Sequence, residues 1–375
     1  MIKVVTIVGT RPEIIRLSRI IPKLDENFEH TLIHTGQNYD FNLNEVFFED
    51  LGIRHPDIYL NIVKENPMQT IAAVIEKIDY NLEKINPDAV LVLGDTNSSL
   101  STIPAKRRKI PIFHMEAGNR CFDFRVPEEI NRRIVDVISD INLTYSEIAR
   151  QYLISEGFDK NRVINTGSPM KEVLNYYDKK IYSSKILNKL KLNKKNYFLI
   201  SFHREENLDN KEKFERLPEI LNKLVSDFSV PVIVSTHPRA KKMILKSEFK
   251  FSEHVRFLEP FSFTDYCFLQ INAKCVLSDS GTITEESSIL NFPALNLRIS
   301  HERPEGQEEG SVMSVGLSIE KIQNALKILE KQSRGSDRSL KIVKDYDVDN
   351  VSEKIVRIIL GNIDLVNQNV WHKSV

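Results

Sequence analysis

Short apolar runs alternate along the chain with segments whose apolar residues recur at helical spacing. The runs are rich in Val, Ile and Leu and have the length of buried strands. One intervening segment, Met68 to Ile85, has a helical pattern that ends at the turn-forming letters NPD. Strands separated by helices predict parallel sheets with both faces covered. The predicted strands are KVVTIV, HTLIHT, AVLVLGD, IPIFHM, DINLTY, YFLISFH, PVIVSTHP, VRFLEP, KCVLSDS and ALNLR.

The alternation occurs in two blocks, separated by a lysine-rich helical stretch from about Pro169 to Lys195. A chain of 375 residues also favours two domains over one. The predicted fold class is therefore α/β, with two doubly wound Rossmann-like domains facing a cleft. We expect residues 1–170 and a helical tail at 358–375 to form the first domain, and residues 171–357 to form the second.

Charge and composition argue against several classes of protein. Lys plus Arg equals Asp plus Glu at 52 each, so no net charge attracts the chain to nucleic acid or an anionic membrane. The 3 cysteines lack CxxC spacing and the 9 histidines lack HExxH spacing, which argues against disulfides and a bound metal. No apolar run reaches the roughly 18 residues of a membrane span, and the first run is too short for a signal peptide. We expect a soluble cytoplasmic protein.

Polar clusters follow many of the predicted strands. In open parallel sheets, ligands bind beyond the carboxyl ends of the strands. One such cluster is often only a turn, but clusters at corresponding places favour a binding site. The clusters are GTRPE, HTGQNYD, GDTNSS, MEAGNR, SFHREEN, STHPR and SDSGTITEE.

The cluster SDSGTITEES follows an apolar strand and opens a helix. Backbone N–H groups near Ser280, Gly281 and Thr282 are predicted to form an anion cradle at the helix N-terminus. Glu286, one turn later, could accept hydrogen bonds from ribose hydroxyls. Alternatively, Ser280 only caps the helix and the acidic residues complement its dipole. Neither a Walker loop nor a GxGxxG fingerprint occurs in the sequence, so we expect no NAD and no other cofactor.

Two arginines in GTRPEIIR occupy the corresponding place in the first block. Pro12 suits the first position of a helix. Arg11 lies in the loop before that helix, where a guanidinium can clamp a diphosphate. Arg16 lies about one turn further along the same helical flank.

Carboxylates follow two buried strands directly, Asp95 in LGDTNSS and Glu116 in HMEAGNR. In RVPEEINRR, Glu128 and Arg132 are four residues apart and share a helix face. An exposed ion pair is the alternative for those two residues. Convergence of these carboxylates with arginines and His203 would separate their pKa values, as acid–base chemistry requires.

Taken in order, GTRPE, GDT, EAG, PEEINR, DSG followed by EE, and ERPE resemble the motifs of the non-hydrolysing UDP-N-acetylglucosamine 2-epimerases. They extend from residue 9 to residue 305, which is most of the chain. The resemblance implies two Rossmann-like domains of the GT-B type, with UDP held mainly by the second. It also implies a UDP-sugar substrate and a homodimer.

The motifs resemble most closely the branch that acts on 6-deoxy-L-sugars, which makes UDP-N-acetyl-L-fucosamine from UDP-2-acetamido-2,6-dideoxy-L-talose for capsule and O-antigen assembly. The general family usually has a lysine where this chain has Arg16, and glycines where it has Gly281 and Thr282. The alternative within the family is conversion of UDP-N-acetylglucosamine to UDP-N-acetylmannosamine. A glycosyltransferase, a hydrolysing epimerase and a non-catalytic UDP-sugar-binding protein are more distant alternatives.

The resemblance also implies roles for individual residues. Asp95, Glu116 and Glu128 are the acid–base candidates, and their assignment to the two faces of C2 stays open. Arg11, Arg132 and His203 are expected to bind or polarise the diphosphate. The residues expected to hold or line the UDP site are Tyr266 (stacking on uracil), Ser280, Gly281, Thr282, Glu286, Arg298 and Glu302.

Overall fold

The structure is a computed structural model that describes residues 1–36, 48–62, 64, 66–202, 211–236, 240–241, 243–244, 247, 249–298 and 302–374. Its internal contacts divide the chain into two compact units. The first unit contains Met1–Asn175 and Asp345–Val375, and the second contains Tyr176–Lys344.

The first unit is built on a seven-stranded sheet in the order β3-β2-β1-β4-β5-β6-β7, and every pair of neighbours is parallel. The strands are β1 Lys3–Val8, β2 Glu29–His34, β3 Ile58–Tyr59, β4 Ala89–Leu93, β5 Ile112–Ala117, β6 Ile141–Thr144 and β7 Val163–Asn165. The helices of this unit are Arg11–Leu17, Ile20–Asn27, Pro67–Ile85, Thr102–Arg107, Pro127–Ile138, Glu147–Ser155 and Val351–Asn369, and Met170–Tyr182 begins in it.

The second unit is built on a six-stranded sheet in the order β10-β9-β8-β11-β12-β13, again parallel throughout. Its strands are β8 Phe198–Ser201, β9 Val232–Ser235, β10 Val255–Leu258, β11 Cys275–Ser278, β12 Ala294–Asn296 and β13 Met313–Ser314. Its helices are Ile186–Leu190, Lys211–Phe228, Phe263–Asn272, Ile283–Leu290, Pro304–Glu308 and Ile319–Leu329.

Each sheet is covered by helices whose apolar stripes face it. In the first unit, Val74, Ile78 and Leu82 of the helix Pro67–Ile85 belong to the same buried cluster as the β1 and β4 side chains Val5 and Val92. These residues recur every four positions and so share one helix face. Asn66 caps this helix, because its side chain accepts a hydrogen bond from Met68 N over 2.8 Å. The cap places the helix start one residue before the predicted one.

The predicted α/β class with parallel sheets is confirmed, and each predicted apolar run coincides with most of a strand. The sequence analysis missed β3, β7 and β13, which have only two or three residues each and lie at sheet edges. Strands this short show neither alternation nor a continuous apolar run.

The chain returns to the first unit earlier than predicted. Ser168 N donates to Asp345 O over 2.9 Å, and Asn165 Nδ2 donates to Asp345 Oδ1 over 2.9 Å. The helix Val351–Asn369 then packs against Ile20–Asn27. Residues 345–357, which we had placed in the second domain, therefore belong to the first unit.

Among the residues that the structure describes, no helix is long and apolar enough to cross a membrane.

Candidate functional site

In each sheet the strand order reverses at one point, and polar turns lie at the carboxyl ends of the strands beside it. In the first unit the reversal lies between β1 and β4, whose following turns contain Gly9–Thr10 and Gly94–Thr96. In the second unit it lies between β8 and β11, and the turn Asp279–Thr282 follows β11. His203 follows β8 but lies outside the described residues.

The turn after β1 is tightly packed against the turn after β4. A Cβ atom on Gly9 would lie 1.9 Å from Ser98 Oγ and 2.5 Å from Thr35 Oγ1, so a larger residue would force these side chains to move. Thr10 adopts an extended conformation and begins the helix Arg11–Leu17. Burial lowers the pKa of Arg11 at the start of that helix.

Glu13 joins the two turns. Its Oε2 accepts a hydrogen bond from Gly9 N over 2.6 Å, and its Oε1 accepts one from Thr96 Oγ1 over 2.8 Å. The side chain is buried, and burial raises the pKa of its carboxyl to about 7, although these hydrogen bonds oppose the shift. Glu13 therefore links the turns after β1 and β4 at the reversal point.

Asp95 is held by a buried arginine. Arg132 donates to Asp95 Oδ2 from Nη2 over 2.5 Å and from Nε over 3.0 Å. Arg132 Nη1 donates to Glu129 Oε2 over 3.1 Å. Asn131 Nδ2 also donates to the Asp95 carbonyl over 3.0 Å, so the helix Pro127–Ile138 fixes both the backbone and the side chain of Asp95.

Glu116 occupies an irregular position in β5. Its φ of +66° is left-handed, which is unusual for a residue with a side chain. The β5–β6 register shifts between Met115 and Ala117 at this point. Arg16 Nη1 lies 3.5 Å from Glu116 Oε2, and Asn119 Nδ2 donates to Glu116 Oε1 over 3.2 Å. The bulge therefore directs a carboxylate toward Arg16 at the carboxyl end of the sheet.

The first unit thus forms two ion pairs from four of the candidate site residues, Asp95 with Arg132 and Glu116 with Arg16. Glu128 lies in the first turn of the helix Pro127–Ile138 and is half-buried. Arg132 on the same helix forms ion pairs with Asp95 and Glu129.

Glu129 is a functional candidate that the sequence analysis missed. It is fully buried and accepts hydrogen bonds from Arg132, from Arg133 Nε over 3.1 Å and from Cys121 N over 3.0 Å. The sequence contained a signal for it, since both glutamates of PEE lie three or four residues before an arginine.

A second buried group that the sequence analysis missed centres on Asp136. His114, Arg120 and Asp136 are all buried, and Asp136 contacts the other two side chains. Nothing in their spacing indicates this, because each lies in a different element or loop.

In the second unit, the turn before the helix Ile283–Leu290 contains Ser280, Gly281 and Thr282, the residues for which we predicted an anion cradle. Ser280 N donates to Ser278 Oγ over 3.0 Å, and Thr282 N donates to Ser280 Oγ over 3.3 Å. Ser280 Oγ also lies 3.0 Å from Thr282 Oγ1. A phosphate bound here would exchange these hydrogen bonds for its own, and the dipole of the eight-residue helix would favour its charge.

Glu286 and Tyr266 lie together beside this turn. Glu286 Oε2 accepts a hydrogen bond from Gln270 Nε2 over 2.5 Å. Burial, together with the nearby Glu286 charge, raises the pKa of the Tyr266 phenol, which also has a hydrogen bond with the Ser201 side chain. The hydroxyl end of Tyr266 is therefore fixed between β8 and Glu286.

Two buried ion pairs follow β12. Arg298 Nη1 lies 3.4 Å from Glu302 Oε1, which joins two predicted residues. Arg303 Nη2 lies 3.2 Å from Glu285 Oε2. Both pairs lie near the carboxyl edge of the second sheet, since Glu285 opens the helix after β11.

Metal binding has no support in the described part of the chain, where no group of three or more His, Cys, Asp or Glu residues could hold an ion.

The chain is similar to proteins of one family over nearly all of its length. A family model described as UDP-N-acetylglucosamine 2-epimerase matches residues 22–360. A solved structure of UDP-N-acetylglucosamine 2-epimerase from Rickettsia bellii is 52% identical, with 100% of each chain covered and a TM-score of 0.94. The enzyme from Methanocaldococcus jannaschii, solved with UDP-GlcNAc and UDP, is 33% identical, with 96% of this chain and 100% of that chain covered and a TM-score of 0.88.

A relative with a different named substrate is UDP-2,3-diacetamido-2,3-dideoxy-D-glucuronate 2-epimerase from Pseudomonas aeruginosa. It is 31% identical over 325 residues, which cover 85% of this chain and 90% of the relative.

Proposed function

The chain belongs to the UDP-N-acetylglucosamine 2-epimerase family, and we propose that it inverts C2 of a UDP-2-acetamido sugar by eliminating and re-adding UDP. One observation carries the proposal. Asp95 follows β4 and Glu116 lies near the carboxyl end of the adjacent parallel strand β5, and each carboxylate is paired with a buried arginine. Two fixed carboxylates are what proton transfer at two faces of one carbon requires.

The chemistry explains why these groups suffice. The C2 hydrogen of an acetamido sugar is not adjacent to a carbonyl, so direct deprotonation is very unfavourable. In the elimination, a carboxylate removes the C2 proton, the C–H electron pair forms the C1=C2 double bond, and the C1–O bond breaks as UDP leaves with its electrons. A second acid then protonates C2 from the opposite face, and UDP oxygen attacks C1. The sequence is redox-neutral.

We assign proton transfer to the first unit. Asp95, Glu116 and Glu128 are the proposed acid–base residues, and Arg132 is proposed to orient Asp95 as well as to stabilise the charge of the diphosphate. His203 is proposed to act with Arg132 on the diphosphate, although it lies outside the described residues.

We assign recognition of the nucleotide mainly to the second unit. Ser280, Gly281 and Thr282 would bind the β-phosphate at the helix N-terminus, and Glu286 would accept hydrogen bonds from ribose. Four further residues complete the proposed UDP contacts: Tyr266 beside uracil, Arg298 and Glu302 nearby in the second unit, and Arg11 at the diphosphate.

For the substrate, we propose UDP-2-acetamido-2,6-dideoxy-L-talose, converted to UDP-N-acetyl-L-fucosamine for capsule or O-antigen assembly. Arg16 and Thr282 support this assignment, because they match the 6-deoxy-L-sugar branch where the general family has lysine and glycine. Arg16 contacts Glu116, so this difference lies at a proposed reacting group. We also propose a cytoplasmic homodimer.

UDP-N-acetylglucosamine is the second candidate substrate. It is favoured by the names of the Rickettsia bellii and Methanocaldococcus jannaschii proteins and by the ligand of the latter structure. The two candidates differ at C6 and in the configuration of the sugar ring, so the same catalytic groups could serve either one.

The deciding experiment is proton NMR in heavy water with each UDP-sugar alone. We expect deuterium to enter C2 and the C2 epimer to accumulate with the L-talose substrate, at a rate well above that with UDP-N-acetylglucosamine. The reverse preference would assign the second substrate. Absence of C2 exchange with either sugar would contradict epimerisation, and stoichiometric free UDP would indicate a hydrolysing enzyme. Oxygen-18 placed in the bridge between C1 and phosphorus should scramble during inversion.

A further inference from the structure

We propose that Asp136, together with His114 and Arg120, is a positioning group that fixes Asp95 and Glu116 relative to each other. The inference rests on the proposed function, because it concerns the two carboxylates assigned to proton transfer. Asp136, His114 and Arg120 are all buried, and the proposal gives them no contact with the reacting atoms.

Asp136 makes four contacts on the carboxyl side of β5. Its Oδ1 lies 2.9 Å from His114 Nδ1, and its Oδ2 accepts a hydrogen bond from Arg120 Nη1 over 2.7 Å. Gly118 N donates to both carboxylate oxygens over 3.3 Å. One carboxylate on the helix Pro127–Ile138 therefore accepts hydrogen bonds from the backbone of the following turn and from a buried guanidinium, and it lies beside the His114 imidazole.

His114 extends this group to Asp95. Its Nε2 lies 2.9 Å from the carbonyl oxygen of Gly94, the residue immediately before Asp95. Gly94 has a φ of +75°, so the chain turns sharply at this point. Since a carbonyl only accepts, His114 must donate this hydrogen bond from Nε2. The imidazole thus helps to fix the position of the backbone at Gly94, immediately before Asp95.

The same group encloses Glu116. His114 lies two residues before Glu116 and Gly118 two residues after it, and Asp136 contacts both. Between them, Glu116 has its left-handed φ of +66°. Such a conformation persists only when the surrounding structure enforces it. We infer that the contacts of Asp136 with His114 and Gly118, on either side of Glu116, hold Glu116 in this conformation.

Arg120 adds a side-chain route to Glu116. Its Nη1 donates to the Asn119 carbonyl over 2.8 Å, and Asn119 Nδ2 donates to Glu116 Oε1 over 3.2 Å. The rest of the guanidinium is paired with Glu156, through Nε over 2.9 Å and Nη2 over 2.6 Å. The charge of Arg120 is therefore balanced on two sides, which makes its burial tolerable.

The test replaces Asp136 by asparagine, which keeps the shape and removes the charge. We expect kcat for C2 epimerisation to fall about 100-fold, because a displacement of about 1 Å at a reacting group has roughly that effect. The KM for the UDP-sugar should change less than about threefold, since Asp136 does not bind the nucleotide in our assignment. Proportional losses in kcat and in the folded fraction would contradict a positioning role.

Asp140→Asn is the matched control. Asp140 is also a buried aspartate that accepts a hydrogen bond from a backbone amide, in this case Ile112 N of β5, over 3.0 Å. It is paired with a cation, Lys106, over 2.5 Å. Ile112 begins β5, so Asp140 acts at the opposite end of the strand from Glu116. We expect Asp140→Asn to lower stability with kcat unchanged within about twofold.

Two substitutions of His114 distinguish its contact with Gly94 from its contact with Asp136. They test the proposal even if Asp136→Asn does not fold. Glutamine can replace the Nε2 donor to Gly94, and asparagine can replace the Nδ1 side that faces Asp136. We expect His114→Gln and His114→Asn each to retain more activity than His114→Ala, because each keeps one of the two polar groups. Equal activity in all three variants, at the wild-type level, would overturn the proposal.

A structural readout separates this inference from the proposed function. Amide hydrogen exchange of wild type and Asp136→Asn should show loss of protection in residues 94–96 and 116–120, with the first strands of the unit unchanged. If wild type catalyses no C2 exchange, the proposed function fails, yet this measurement still decides whether Asp136 holds the two turns. Unchanged protection in both turns would overturn the positioning role.

Discussion

At the scale of single residues, the Arg132 guanidinium shows why an arginine is needed beside Asp95. Two of its nitrogens, Nε and Nη2, converge on one carboxylate oxygen, while Nη1 reaches Glu129. An arginine can make these contacts at once because its donors lie in a rigid plane. A lysine has the same charge but no such fork.

We therefore expect Arg132→Lys to lower kcat by about 100-fold while the fold remains intact. Steady-state kinetics and the near-ultraviolet circular dichroism spectrum would be measured together. Arg108→Lys is the matched control, because Arg108 donates to Asp79 from Nε over 2.6 Å and Nη2 over 2.9 Å but lies away from the candidate site. Equal losses in the two variants would show that the fork of Arg132 has no special role.

Glu13 makes a pH-dependent contribution to stability. Burial raises its pKa to about 7 in the folded protein from an ordinary 4.5. Between these values the folded state keeps a proton that the unfolded state has lost. Stability from this group is therefore complete below pH ~4.5 and is lost as pH rises toward 7, by about 3 kcal/mol in total.

Glu13→Gln should remove this dependence, because the amide oxygen can accept from Gly9 N and the amide nitrogen can face Thr96. Denaturant unfolding from pH 5 to pH 8 would then show wild type losing stability relative to the variant. Glu147→Gln is the control, since Glu147 also lies in the first turn of a helix but is exposed. A difference between wild type and Glu13→Gln that stays constant with pH would contradict the prediction.

The sequence predicted which residue types converge, but not which neighbour takes which contact. In PEEINRR the two glutamates differ by about 100° around the helix axis. Arg132 lies four residues after Glu128 and three after Glu129, so the spacing allows a contact with either glutamate, whereas its ion pair with Asp95 joins it to a residue from a distant part of the chain. Spacing alone carries no information on that second point.

At the scale of elements, the turn after β5 depends on a glycine for two separate reasons. Gly118 has a φ of +79°, and a Cβ there would lie 2.4 Å from the Ala149 carbonyl oxygen. Gly157 also has a positive φ, +94°, but a Cβ there would meet nothing within 4 Å. Substitutions at the two glycines therefore distinguish the cost of a left-handed backbone from the cost of steric overlap.

We expect Gly157→Ala to cost about 1–2 kcal/mol, the usual penalty for a left-handed alanine, and Gly118→Ala to cost several kcal/mol more. Thermal and denaturant unfolding would measure both. Activity should fall only in Gly118→Ala, because the overlap moves the turn that carries Glu116. Similar destabilisation by the two substitutions would show that the turn relaxes away from Ala149.

The sheet elements were more predictable from sequence than the turns that carry the candidate site. Central strands such as β1 and β4 are buried on both faces, so their apolar runs are continuous. The bulge at Glu116 left no such pattern, because HMEAGN reads as an ordinary strand end. In our proposal its geometry depends on Asp136, which lies in the following helix Pro127–Ile138.

At the scale of the whole molecule, the first unit is assembled from both ends of the chain. The helix Val351–Asn369 packs on Ile20–Asn27, and Lys354 Nζ donates to the Thr166 carbonyl over 2.9 Å. The complete seven-stranded sheet lies within residues 1–175, but one of its covering helices comes last in the sequence. A sheet with an uncovered apolar face is not stable in water.

Two adjacent residues of the last helix test this dependence. Ile359 is fully buried, whereas Leu360 is 55% exposed. We expect Ile359→Asp to destabilise the first unit by several kcal/mol, since it buries an unpaired charge, and Leu360→Asp to stay within about 0.5 kcal/mol of wild type. Limited proteolysis with mass spectrometry should show early cleavage within residues 1–175 of Ile359→Asp, while fragments from 176–344 persist. Because both substitutions add the same charge to the same helix, equal cleavage of the two variants would mean that the helix does not complete the first core.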